Sequence, residues 1–153
     1  MAEVRMLAEK QFSYGLRPSS DLTVIQKSRE GVLRSVADEI SGLVGLTDND
    51  MAYLLGMTPR NLHRIPADKR LSTDASERLL RLKNVLIHAL DTFENREHVV
   101  RNWLKSPLSE LNDHTPLQLM DTITGFGMVD DVLGRLDYGL PACFQQLCLR
   151  STA

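Results

Sequence analysis

The segment TPRNLHR at residues 58–64 groups side chains that can hydrogen-bond to nucleic acid. Arginine can donate two parallel hydrogen bonds to guanine, asparagine can pair with adenine, and both can also contact phosphate. To act together, these side chains must project from one element that fits the major groove. The pattern predicts a DNA-reading surface whose candidate contacts are Thr58, Arg60, Asn61, His63 and Arg64.

Two short helices are predicted to position this surface. Thr47 is a suitable N-cap for the first helix, which ends at Gly56, where glycine permits a turn. Thr58 and Pro59 begin the second helix, because proline is tolerated at the first helical position. The result is a helix-turn-helix with Ala52 at the close crossing and a core side formed by Met51, Leu55, Met57, Leu62 and Ile65.

A basic region begins within this motif and continues beyond it. Residues 56–88 carry 7 Lys/Arg against 3 Asp/Glu, although the whole chain has a net charge of -2. Lysine and arginine outside the reading helix hold DNA phosphates and fix the register of the protein. The candidates are Lys69 and Arg70 in the following loop, supported by Arg78, Arg81 and Lys83. The alternative is that these cations lie on an outer helix face and contact only water.

The flanking segments are also predicted to be helical. Apolar residues recur every three or four positions from Ser28 to Gly45, which predicts a first core helix and a helix-turn-helix domain over residues 28–71. Residues 1–27 contain Gly15 and Pro18 and are interpreted as an N-terminal arm or a short extra helix of unknown role.

A long helix begins after Ser72, which is a suitable N-cap. Its apolar residues alternate at spacings of four and three, which predicts one continuous stripe. The stripe either packs within the domain or belongs to a helix that joins two parts of the chain and forms a dimer seam. Its members are Ala75, Leu79, Leu82, Leu86, Ala89 and Phe93.

The remainder of the chain repeats the same helical signals. Thr115-Pro116 repeats the cap-and-proline start of Thr58-Pro59, and a last apolar stripe ends near Gly139. The predicted fold class is all-α, with an N-terminal helix-turn-helix part followed by a small helical part.

Several functional classes are disfavoured. There is no glycine-rich phosphate loop, no paired-histidine helix motif and no nucleophile elbow, so an enzyme, a cofactor and a metal site are not expected. Cys143 and Cys148 are five residues apart, on different faces of a helix, and are predicted to be buried free thiols. No leader or membrane span is recognised, which favours a cytoplasmic protein without a membrane partner.

The motifs downstream of the long helix resemble a known family. WLKSP, TPLQLMDT and VDDVLGRLDYGLPA resemble the C-terminal toxin-binding domain of Xre/MbcA/ParS-type antitoxins, and LLGMTPRNLHR with LSTDASERLLRL resembles their DNA-binding half. The resemblance covers residues 28–142. It implies that residues 72–153 comprise the connecting helix, a toxin-binding domain and a C-terminal tail.

The resemblance implies a function with two sides. The antitoxin neutralises a cognate toxin, commonly a RES-type enzyme that consumes NAD or transfers ADP-ribose, by covering its active site. It also represses its own operon by binding double-stranded promoter DNA. Because one helix-turn-helix reads only one half-site, a homodimer is expected. The alternative is a stand-alone helix-turn-helix repressor whose C-terminal part senses a small molecule or dimerises.

The toxin contact is assigned by the same resemblance to the turn at Asp137, Tyr138, Gly139, Leu140, Pro141 and Ala142. The sequence departs from the family at its end, because the tail CFQQLCLRSTA, with Arg150, follows the turn. Either the turn or the tail could therefore enter the toxin cleft, with Arg150 as a contact or a solvated residue. Residues 89–153 carry 5 Lys/Arg against 9 Asp/Glu, which suits a basic cleft.

Overall fold

The computed structural model describes residues 18–139, and every regular element in this range is helical. The predicted all-α class, with a helix-turn-helix part followed by a second helical part, is confirmed. A 3-10 helix covers Ser109–Leu111. The eight α-helices of this range are α1 Asp21–Glu30, α2 Arg34–Val44, α3 Asp48–Leu54, α4 Pro59–Arg64, α5 Thr73–Thr92, α6 Glu97–Leu104, α7 Pro116–Leu119 and α8 Ile123–Asp137.

The chain breaks between α1 and α2, so the predicted start of a core helix at Ser28 is wrong. Ser28 lies buried inside α1, and Gly31 then adopts a φ of 79°, a left-handed value that glycine favours. Val32 and Leu33 form an extended connection instead of a helical turn. The N–H of Leu71 donates to the carbonyl of Val32 at 2.8 Å, so this connection is held by the loop before α5.

The first described helix is part of the folded body. α1 packs along α5, and it crosses the predicted boundary between residues 27 and 28. The side chain of Asn84 in α5 donates to the carbonyl of Ser19 at 2.9 Å and accepts from its N–H at 2.8 Å. The described part of the predicted arm is therefore a helix anchored to α5.

The long helix α5 lies at the centre of the structure, with α1 and α8 as its main neighbours. All six residues of the predicted stripe are buried within this chain, so the stripe is a core element and is not available as a dimer seam. Full burial of one leucine contributes about 1.5–3 kcal/mol. Because α5 packs against helices of both parts, its buried side chains stabilise both parts of the chain.

The second part of the chain packs against the far end of α5. Phe93 follows α5 and lies against Trp103 of α6, with ring centroids 5.6 Å apart. Thr115 and Gln118 form a capping box at the start of α7. The predicted apolar stripe of α8 supplies Val129 and Leu133 to the same core.

Polar contacts also join the two parts. The hydroxyl of Tyr53 in α3 donates to the carbonyl of Gln118 at 2.9 Å. Lys105 lies 3.4 Å from Asp50, and Nε of Arg101 donates to the carbonyl of Val44 at 2.9 Å. A positive charge at the C-terminus of α2 also complements the helix dipole.

Candidate nucleic-acid interface and partner interface

The helix-turn-helix is built by the local signals that its sequence contains. Thr47 and Asp50 form a capping box at the start of α3. Gly56 in the turn has a φ of 70°, which an L side chain rarely adopts. Thr58 accepts from the N–H of Asn61 at 3.2 Å and so caps α4, as predicted.

The two helices are fixed from below by buried side chains. Ala52, predicted at the close crossing, is completely buried, and so is the predicted core face around Met51 and Leu62. Met57 and Ile65 are partly buried against the same core. α4 therefore has one inward side, and its other side faces solvent.

The predicted DNA-reading residues lie together on that outer side. Arg60, Asn61, His63 and Arg64 are all exposed. The guanidinium groups of Arg60 and Arg64 form no hydrogen bond or ion pair with the rest of residues 18–139. Nε2 of His63 lies 3.5 Å from Oδ2 of Asp48. Thr58 is exposed, and because its oxygen accepts the capping bond, its hydroxyl proton can still be donated to a phosphate.

The predicted phosphate contacts divide into two kinds. Lys69 is exposed in the loop after α4. Arg70, in contrast, donates through Nη1 to the carbonyl of Gly31 at 2.5 Å, which holds the loop between α1 and α2. The structure therefore engages Arg70 within the chain, whereas Lys69 is the better placed of the two to meet DNA.

The cations of α5 are also engaged. Arg78 donates to the carbonyl of Asp121 and so links the helix-turn-helix part to the start of α8. Arg81 pairs with Glu77 at 3.0 Å. Burial and the neighbouring Lys27 lower the pKa of Lys83. The predicted phosphate contacts would need a free cationic surface on α5. The structure instead engages Arg78, Arg81 and Lys83 within the chain.

The predicted partner contact begins at the end of α8. Tyr138 is 85% exposed, and Gly139 has a φ of 71°. Asp137 is the last residue of α8, and its carboxylate is bound within the chain. Leu140, Pro141, Ala142, Cys143, Cys148 and Arg150 lie outside the described residues.

A side-chain cluster that the sequence did not indicate occupies the face between α5 and α8. His88 binds Asp130 through Nδ1 and Asp137 through Nε2, both at 2.7 Å. Thr92 donates to the other oxygen of Asp137 at 2.7 Å. The seven-residue spacing of the two aspartates places them on one face of a helix, but the identity of their partner depends on the packing of α8 against α5.

Other kinds of site find little support in the described part of the chain. Residues 18–139 contain no group of three or more histidine, cysteine, aspartate or glutamate side chains that could hold a metal ion. None of the helices in this range has the length and apolar character that a membrane span requires. The surfaces that stand out are the outer side of α4 and the end of α8.

The fold and these surfaces define a two-part helical protein with a helix-turn-helix and a second helical domain. Residues 23–82 match the antitoxin Xre-like helix-turn-helix domain, and residues 88–139 match the antitoxin Xre/MbcA/ParS C-terminal toxin-binding domain. The two matches cover consecutive stretches of the chain, and both matched domains are described as domains of antitoxins. The predicted resemblance is confirmed at this level.

Two curated relatives are both named antitoxin Xre. An antitoxin Xre of Photorhabdus laumondii subsp. laumondii is 28% identical over 112 residues, which cover 72% of this chain and 76% of the relative. An antitoxin Xre of Yersinia enterocolitica serotype O:8 is 28% identical over 127 residues, which cover 82% of this chain and 86% of the relative. Both similarities span most of each chain.

Proposed function

We propose that this chain binds promoter DNA through α4 and neutralises a cognate toxin through its C-terminal domain. The observation that carries this proposal is the succession of the two domain matches, which meet within α5. The proposal assigns one function to each exposed surface. It also makes the chain a binding protein of the cytoplasm that acts without catalysis and without a cofactor.

The DNA-binding mode follows from the outer side of α4. Arg60 and Asn61 lie near the N-terminus of α4, which is the end that enters the major groove in helix-turn-helix proteins. Arg64 lies one turn further along, and Lys69 lies in the loop beyond. We assign base reading to the first two residues and phosphate contacts to the latter two.

We further propose that the chain binds its own promoter as a homodimer and represses the operon. One α4 reaches one half-site, so two copies are needed for an inverted repeat with half-sites about one helical turn apart. Because the apolar stripe of α5 is buried within the chain, the dimer must use another surface.

For the toxin, we propose that Tyr138 and the residues that follow it cover the active site. An aromatic side chain that is 85% exposed has a large area to bury in a partner. The resemblance to the antitoxin family suggests a RES-type partner that consumes NAD or transfers ADP-ribose. The acidic excess of residues 89–153 suits a cleft that binds a negatively charged dinucleotide.

The proposal is tested by co-expressing the chain with the product of the adjacent gene. We expect the two proteins to co-purify and the chain to relieve growth arrest caused by that product. Tyr138→Ala should lose neutralisation and retain promoter binding, whereas Leu22→Ala, a similarly exposed apolar position in α1, should lose neither. If the adjacent product neither binds the chain nor arrests growth, and promoter binding persists, the stand-alone repressor is correct.

A second experiment separates the turn from the tail. Deletion of residues 143–153 removes Arg150 and leaves the turn that ends at Ala142. Neutralisation should survive this deletion if the turn covers the toxin site. Loss of neutralisation, with promoter binding unchanged, would assign the contact to the tail.

A further inference from the structure

The cluster around His88 joins the last two turns of α8 to α5. The imidazole of His88 lies between Asp130 and Asp137, with both N···O distances at 2.7 Å. Thr92, one turn after His88 in α5, binds the second carboxylate oxygen of Asp137, also at 2.7 Å. Asp137 is therefore held by two side chains of α5 immediately before Tyr138.

This geometry requires a particular protonation state. Each ionised carboxylate can only accept hydrogen bonds, so both ring nitrogens of His88 must donate. Only the imidazolium carries a proton on both nitrogens. The neutral ring would satisfy one aspartate and turn a lone pair towards the other.

The electrostatic surroundings favour the charged ring. Burial alone would lower the pKa of His88, but the hydrogen bonds and charges of Asp130 and Asp137 outweigh it and raise the pKa. Burial would raise the pKa of Asp137, but Thr92 and His88 lower it. The other side of α5 faces α1, whose Lys27 acts on Lys83. Within residues 18–139, the charges that shift His88 are those of the two aspartates.

We propose that His88 is a positioning residue that, as an imidazolium, fastens the end of α8 to α5 and fixes where Tyr138 and Gly139 leave the domain. The part of this inference that concerns a toxin rests on the proposed function. Asp137 then acts as an anchor for the contact segment and is not itself a toxin contact. Charge-assisted hydrogen bonds are the strong class, so loss of the bridge should be measurable.

The direction of the pH dependence follows from these shifts. The raised pKa of His88 means that the bridge is complete below the ordinary histidine value of 6.5 and is lost as pH rises through the raised value. The lowered pKa of Asp137 means that its contribution is complete above 3.8 and is lost as pH falls through the lowered value.

The first test needs no partner. Amide protection factors, corrected for intrinsic exchange, are measured between pH 6 and pH 9 in the full chain, in His88→Gln and in the control His98→Gln, whose side chain is exposed in α6. We expect protection at Leu136–Gly139 to fall about tenfold as pH rises in the parent and the control, and to be low throughout in His88→Gln. Unchanged protection in His88→Gln at pH 6 would overturn the inference.

Two internal comparisons distinguish a local effect at the end of α8 from general destabilisation of the protein. The amides of Val129 and Leu133, in the buried face of α8, should keep their protection in His88→Gln. Asp130→Asn keeps a hydrogen-bond acceptor but removes one charge, so it should move the loss of protection to lower pH. If all amides of α8 lose protection equally, or if Asp130→Asn leaves the midpoint in place, His88 is only a packing residue.

The second test uses the adjacent gene product as the probe. Its affinity for the parent chain should fall as pH rises, whereas its affinity for His88→Gln should be weaker and nearly independent of pH, with promoter binding unchanged in both. Equal affinity of parent and His88→Gln would overturn the positioning role. If the probe binds neither protein, the proposed function fails, and the protection factors alone decide whether the bridge holds α8.

Discussion

Two groups of arginines differ in what their guanidinium groups contact. Arg60 and Arg64 project from α4 and bind nothing else within residues 18–139. Arg70 and Arg101 donate to backbone carbonyls and hold loops and helix ends in place. The residue type alone therefore does not distinguish a nucleic-acid contact from a structural one, and the two groups should respond differently to substitution.

The first prediction concerns base reading. Arg60→Ala should weaken binding to the promoter by about 1–3 kcal/mol and relax the sequence preference, because a bidentate contact to one base is lost. The measurement is a titration of promoter DNA and of a scrambled duplex at one fixed salt concentration. Arg135→Ala, an exposed arginine in α8, is the control and should change neither affinity. Parent-like affinity and preference in Arg60→Ala would contradict the assignment.

The second prediction separates Lys69 from Arg70. Lys69→Ala should weaken binding to all sequences evenly and reduce the slope of log K against log salt concentration by about 1, because one phosphate contact is lost. Arg70→Ala should instead lower the free energy of unfolding by about 1 kcal/mol, since the carbonyl of Gly31 loses its donor.

Salt titrations and thermal unfolding of both variants provide the measurement. The assignment of Arg70 to the fold would be refuted by a flattened salt slope in Arg70→Ala with unfolding unchanged. The assignment of Lys69 to phosphate would be refuted by a salt slope equal to that of the parent.

At the scale of a single element, two of the three glycines of α8 lie in opposite surroundings. A Cβ at Gly125 would overlap the backbone carbonyl of Leu119, whereas a Cβ at Gly127 would meet nothing within 4 Å in the described part of the chain. Gly125 thus permits the close approach of the segment before α8. Gly127 has no such role among residues 18–139 and costs helix stability.

The third prediction uses this contrast. Gly127→Ala should raise the free energy of unfolding by about 0.5–1 kcal/mol, because alanine loses less backbone entropy in a helix. Gly125→Ala should lower it by about 1–3 kcal/mol, because the backbone must shift. Chemical denaturation of the two variants measures both effects. Equal signs for the two substitutions would show that the packing of α7 against α8 is not as described.

The sequence predicted best those helix starts that have a side-chain cap. Thr47, Thr58 and Ser72 were predicted as N-caps, and each accepts a backbone N–H in the structure. These signals are local, because a cap and its partner lie three residues apart. The break at Gly31 was missed, since apolar spacing alone does not show that Val32 pairs with Leu71, far along the chain.

The candidate sites also divide into features that one helix determines and features that depend on the packing of two helices. The outer side of α4 was predicted because its side chains share one short helix whose period is known. The bridge from His88 to Asp130 and Asp137 was not predicted, since it requires knowledge of how α8 lies on α5. Asp137 was predicted as a toxin contact from the family resemblance, and its carboxylate is bound within the chain.

At the scale of the whole molecule, one helix serves both domains. The helix-turn-helix match ends at residue 82 and the toxin-binding match begins at residue 88, and both positions lie inside α5. The core cluster is also continuous from α2 to α8. Neither part has a core of its own that could melt separately.

The fourth prediction follows from that shared core. Thermal unfolding should be a single cooperative transition, with the same midpoint by far-ultraviolet circular dichroism and by fluorescence. Trp103, the single tryptophan, is buried in α6, so its fluorescence reports the packing around α6. Two separated midpoints would show that the halves unfold independently.

The continuity of α5 also constrains how such proteins can be recombined. Because an α-helix turns by about 100° and rises 1.5 Å with each residue, one residue inserted between positions 82 and 88 would rotate the entire C-terminal domain relative to the helix-turn-helix domain. A chimera that joins the C-terminal domain of a relative to this helix-turn-helix domain must therefore be spliced in register, and splices offset by a residue should yield insoluble chains.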